Sequence, residues 1–148
     1  MSSFTRPLKI VPVPEKPTGW RKLLPPGWHT PAWEVAERFE YAVGSLDQPA
    51  EVITVLEGFR FDGASVPLLL RLFVPMAHPN YVQATALHDW MLEHQTCSRW
   101  HCDRNFREAL GVLGMPALWR ILLHRAVNTA TIRWHVRQFF KAGGRHAG

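Results

Sequence analysis

Apolar and polar positions alternate between Phe39 and Val43, where Phe39, Tyr41 and Val43 are separated by Glu40 and Ala42. A period of two is strand periodicity. Gly44-Ser45-Leu46-Asp47-Gln48-Pro49 follows as turn chemistry. The β-branched stretch from Glu51 to Phe61, with Val52, Ile53, Thr54 and Val55, predicts the returning strand. Two strands alone are marginal in water, so a third from the preceding segment, or helices laid on the hairpin, must complete it. Asp62-Gly63-Ala64-Ser65 ends the strand, with Ser65 or Asp62 placed to cap a turn before Pro67. Val66 to Phe73 reads as a short buried helix or extended segment, and His78-Pro79-Asn80 as a loop.

Beyond that loop the period changes to that of helices. Tyr81 to His94 predicts a first helix, with Val82, Thr85, Ala86, Asp89 and Glu93 near one stripe and Tyr81, Ala84, Leu87, His88 and Met91 on another. Ser98 is a good N-cap for a second helix from Arg99 to Leu113, with Phe106, Leu110 and Leu113 at core spacing and Gly114 closing it. Pro116, at a first-turn position, starts a third whose stripe includes Leu118, Ile121, Leu122, Ala126 and Val127. It continues or restarts through Trp134 and Phe139, before Gly143-Gly144.

The first 32 residues have a different texture. Pro7, Pro12, Pro14, Pro17, Pro25, Pro26 and Pro31, with Trp20 and Trp28, oppose regular helix or central strand. An extended arm is expected, anchored by its aromatics on the domain or on a neighbour. The organisation is then an arm over 1–32, one domain over 33–142 and a flexible tail over 143–148. The fold class is α+β: the arm and a small antiparallel β part, followed by a C-terminal cluster of three to four helices.

Composition changes this picture little. Of 148 residues, 47% are hydrophobic and 20% charged, as in ordinary globular chains. The apolar run from Val66 to Met76 is broken by Pro67, Arg71 and Pro75 and is too short to span a membrane. The N-terminus lacks the apolar core of a secretory signal, so synthesis in a cytoplasm without Sec export is expected. Cys97 and Cys102 lie five apart and make no disulfide framework, and a bridge between them is not indicated. The net charge of +5 favours anionic partners, but no basic run reaches five residues. With no recognition motif, a nucleic-acid partner is not expected.

Three polar clusters interrupt apolar surroundings: Asp62 to Ser65, His88-Asp89, and Ser98 to Asp103. A His-Asp pair on a mostly apolar helix is costly to bury without partners. If the first two helices are antiparallel neighbours, Asp103 reaches His88, and Asp62 is the natural fourth member. Three roles are open: His88 as a general base oriented by a carboxylate, a His/Asp metal site, or a satisfied structural network. Ser65 is carried as a candidate catalytic hydroxyl, although it lacks the Gly-x-Ser-x-Gly setting of a nucleophile elbow. The catalytic candidates are therefore His88, Asp103 and Ser65, and the metal candidates Asp62, Asp89 and His88, for a divalent ion such as calcium or zinc. His94, Cys97, His101 and Cys102 form a second, less convergent set of zinc-type ligands.

Gly58-Phe59-x-x-Asp62-x-Ala64-Ser65-x-Pro67, then Ala86-x-His88-Asp89, then Ser98-x-x-x-x-Asp103-x-x-Phe106 with Leu110, resembles an uncharacterised phage and prophage family, domain-of-unknown-function family 1353. The resemblance covers roughly residues 33–135. It implies a bacteriophage protein, often encoded among tail or lysis-region genes. Family members usually carry a tyrosine-bearing His-Asp-Tyr-x-Tyr run, where Trp90 and Leu92 stand here. A looser similarity is to prokaryotic phospholipase A2, which would make His88 the base, Asp89 a calcium ligand and Asp103 the orienting carboxylate. The disulfides and calcium loop of that family are missing.

The expectation is a virion-associated tail protein, made in the host cytoplasm, whose His/Asp site serves a metal-assisted hydrolase acting on the cell envelope. The alternative is a non-enzymatic structural or adaptor component of the tail. In either case the N-terminal arm is expected to contact other tail proteins.

Overall fold

The computed structural model describes residues 1–13, 32–45, 47–61, 79–94 and 97–143. Among these residues six strands and three helices follow in order: β1 (Ser3–Phe4), β2 (Ile10–Val13), β3 (Ala32–Val35), β4 (Phe39–Val43), β5 (Glu51–Val55), β6 (Arg60–Phe61), α1 (Pro79–His94), α2 (Arg99–Val112) and α3 (Ala117–Gly143). The class is α+β, with small antiparallel sheets preceding a helical C-terminal half.

The strands form two three-stranded antiparallel sheets, in orders β1-β4-β5 and β2-β3-β6. The expected hairpin is present as β4 and β5, with Phe39 opposite Val55 and Tyr41 opposite Ile53. Its third strand comes from the chain's first residues. Phe4 in β1 sits opposite Tyr41, their rings 4.7 Å apart. Ser2 then ties sheet to helix, because its hydroxyl accepts from Gly44 N at 2.7 Å and donates to the Glu108 carboxylate of α2. Proline does not keep the N-terminal segment out of the sheets. Pro12 lies in β2, an outer strand of its sheet, where a missing N–H is tolerated. Residues 14–31, which hold five of the seven prolines of the expected arm, lie outside the described residues.

The stretch expected as one returning strand from Glu51 to Phe61 is two. After β5 the chain turns through Gly58 at φ 81°, a left-handed conformation that a residue without Cβ adopts freely. Gly58 N donates to Val35 O at 2.8 Å, and Phe59 O accepts from Val35 N at 2.9 Å. This moves the chain into the second sheet, where Phe61 pairs with Trp33. Short-range β propensity cannot reveal a change of sheet.

α1 is the central element. Pro79, expected in a loop, is instead its first residue, where its fixed φ suits a helix start. Every residue from Tyr81 to His88 is buried, as is Met91, because α1 packs on β5, β6 and α2. The two stripes read from the sequence are therefore both inside over Tyr81 to His88, while Asp89 is only partly buried and Glu93 is exposed. α2 matches its expected span. The Ser98 hydroxyl accepts from His101 N at 3.3 Å, and Gly114 follows the last turn at φ 80°. α3 is one continuous helix of 27 residues.

Candidate functional site

His88 and Asp103 come from different helices, and neither helix's sequence alone shows that they meet. α1 buries His88 through its eight-residue run of inward positions, and α2 buries Asp103 one residue after Cys102 and three before Phe106. His88 Nε2 lies 2.8 Å from Asp103 Oδ1. His88 Nδ1 lies 3.9 Å from Asp89 Oδ1, beyond a direct hydrogen bond but within the range of an ion pair. The imidazole also packs against Phe106, ring centres 5.0 Å apart. His88 is 2% exposed and Asp103 fully buried, whereas Asp89 retains partial exposure at the rim.

The electrostatics follow from this geometry. Burial alone opposes a charged imidazole. The hydrogen bonds and fields of Asp103 and Asp89 outweigh it and hold the His88 pKa above its ordinary value of 6.5. Asp103 Oδ2 is buried and accepts no hydrogen bond among the described residues, so the carboxylate retains acceptor capacity beyond its bond to His88. Nearby His124 on α3 behaves oppositely. Burial, then the charge of Arg107, lower its pKa, against a raising effect of Asp103 that exceeds the lowering by His88. Sequence reasoning missed His124. The available signal was its place one residue after buried Leu123 and three before buried Val127.

The pairing of His88 with Asp103 expected from the sequence is thus present, with Asp89 beside it. Asp62 and Ser65 lie outside the described residues. Among the described residues no group of three or more His, Cys, Asp or Glu side chains is placed to hold a metal ion. The second candidate set is dispersed. His94 Nδ1 faces its own helix at Trp90 O, 3.0 Å away, and its ring stacks on Trp90. His101 Nε2 pairs with Glu51 at 2.8 Å. The Sγ atoms of Cys97 and Cys102 lie 2.7 Å apart. Burial, then the adjacent Cys97 thiol, push the Cys102 pKa up, which keeps its sulfur protonated.

A cavity of about 300 Å³ is lined by Leu92, Cys97, Ser98, Arg99, Trp134 and His135. Neither His88 nor Asp103 lines it, so it is separate from the dyad. Its walls include the Arg99 guanidinium, which lies 4.8 Å over the Trp134 ring.

Two small antiparallel sheets capped by helices that bury a His–Asp pair define the class: an α+β domain with an interhelical dyad at its centre. The chain belongs to the family described as protein of unknown function (DUF1353), whose model matches residues 33–127. That span holds β4 to β6, all but the first residue of β3, α1, α2 and the dyad. No curated protein and no solved structure matches the chain. Among the described residues no helix is long and apolar enough to cross a membrane.

Proposed function

We propose that the protein is a virion-associated phage protein in which His88 and Asp103 are the acid–base pair of a hydrolase acting on the cell envelope. The observation that carries the hydrolytic part is the buried 2.8 Å contact between Nε2 and Asp103 Oδ1, which turns the other ring nitrogen toward Asp89. The phage setting is supported by the resemblance described above.

In this reading Asp103 accepts the Nε2–H and fixes the tautomer, leaving Nδ1 as the base. Nδ1 takes one proton from water as the water oxygen bonds to the electrophilic carbon or phosphorus. The resulting imidazolium, stabilised by Asp103 and Asp89, returns that proton to the leaving group as the scissile bond breaks. Asp89, together with Asp62, is the proposed holder of a divalent cation, which would polarise the scissile group. Ser65, outside the described residues, is retained as a candidate catalytic hydroxyl.

The near-complete burial of both dyad members favours a second reading, in which the pair ties α1 to α2 in a non-enzymatic tail component. Purified cell envelopes incubated with wild type and with His88→Gln separate the two. The hydrolase reading expects soluble fragments from wild type alone, with the variant folded by circular dichroism. Equal release, or none from either, would leave the structural reading.

A further inference from the structure

The protein's basicity is confined to one end. The last acidic residue is Glu108, and residues 109–148 hold Arg120, Arg125, Arg133, Arg137, Lys141 and Arg145 with no Asp or Glu. Removing those six cations from the chain's seventeen leaves eleven against twelve acids, so the remainder is near neutral. Most of this positive segment is α3.

α3 also carries apolar side chains on the face turned away from the core. Leu123, Ala126, Val127 and Thr131 are buried on the inner side. Leu118, Leu122, Ile132 and Val136 are exposed by 66%, 37%, 50% and 48%. With Arg125 and Thr129 they recur at alternating spacings of four and three, which keeps all six on one side of the helix. From Ile132 to Arg137 every residue is exposed, with Trp134 and His135 meeting Arg99 and Trp100 of α2 on one flank. A stripe of this kind marks an interaction surface.

Charge chooses the occupant. A second α3 laid on the stripe would bring two helices without a carboxylate against each other, a repulsive pairing. Nucleic acid would be met by Leu, Ile and Val where phosphate contacts need cations. An anionic bilayer surface satisfies both features, taking the apolar stripe into the acyl boundary while Arg133 and Arg137 meet the headgroup phosphates. We propose that the outer face of α3 binds the surface of membranes rich in anionic phospholipid, lying on the bilayer without crossing it. This rests on α3 alone and not on the dyad.

Flotation of the full-length protein with phosphatidylcholine vesicles, and with vesicles containing phosphatidylglycerol, tests the inference. Binding to the anionic vesicles is expected at least tenfold tighter than to the neutral ones. It is expected to fall at least tenfold in Ile132→Ser/Val136→Ser, which keeps every charge, and in Arg133→Gln/Arg137→Gln, which keeps every apolar group. All four positions are exposed, and thermal melting of each variant checks that the fold is retained. Absence of binding to either vesicle would overturn the proposal, as would anionic binding indifferent to the Ser variant. So would stripe-dependent dimers in sedimentation without lipid binding, or duplex DNA bound more tightly than the anionic vesicles.

Discussion

Asp103 of α2 holds His88 of α1 through a 2.8 Å contact between two buried side chains, joining the innermost helix to its neighbour. Such a pair is more costly to break than its net worth suggests, since removing one partner strands the other in a poorly solvating interior. Asp103→Ala is expected to destabilise the fold by about 3–5 kcal/mol. Urea unfolding at neutral pH measures this, and a loss below about 1 kcal/mol would mean that the pair is not buried as described.

Two histidines give the stability opposite pH slopes. His88 has a raised folded pKa, so its contribution is complete below the unfolded value near 6.5 and is lost as pH rises through the higher folded value. His124 has a lowered one, so its contribution is complete above the unfolded value and is lost as pH falls toward the folded value. Melting temperatures across pH 5 to 9 should therefore show His88→Gln flattening the alkaline side and His124→Gln flattening the acid side. The reverse assignment would contradict the charges placed around each ring.

The same shift sets the direction of the rate profile. A base held above its ordinary pKa is more often protonated at neutral pH, so envelope hydrolysis should rise with pH through an inflection above about 6.5. An optimum on the acid side would oppose His88 as the base.

Asp89 separates a cation site from a structural one. Saturating calcium or zinc at about a hundred times its dissociation constant should stabilise wild type by about 2.7 kcal/mol. Asp89→Asn should lose that response while costing only about 1 kcal/mol in chelator. A response unchanged in the variant would place the cation elsewhere.

Gly58 offers a test of the fold itself. Its φ of 81° has open space where a Cβ would stand, so substitution strains the backbone alone. Gly58→Ala is expected to cost about 1–2 kcal/mol, read as a melting shift of about 2–4 °C for each kcal/mol. No shift would mean that the strand change at this residue is not fixed by its conformation.

These elements differ in how far the sequence announces them. α2 was legible almost to the residue, because Ser98 and Gly114 are local start and stop signals whose chemistry needs no distant partner. The β4–β5 hairpin was legible from its alternation, and the pairing of His88 with Asp103 from the cost of burying each alone. The passage from β5 to β6 was not, because what redirects the chain is Val35, more than twenty residues earlier. Ser2 likewise gives no sign in its surroundings that its hydroxyl will meet Glu108. His124 was missed for the same reason: its significance lies in three side chains on the other two helices. Asp62 and Ser65 belong to the sequence reading of the site and lie outside the described residues.

The central claim is that Asp103 sets the orientation and proton affinity of His88. Titration of the His88 imidazole by NMR, in wild type and in Asp103→Asn, tests it directly. A wild-type pKa above 6.5 is expected, falling when the carboxylate is neutralised, with the Nε2-protonated tautomer lost in the variant. A wild-type value at or below 6.5, or one that Asp103→Asn leaves unmoved, would contradict it.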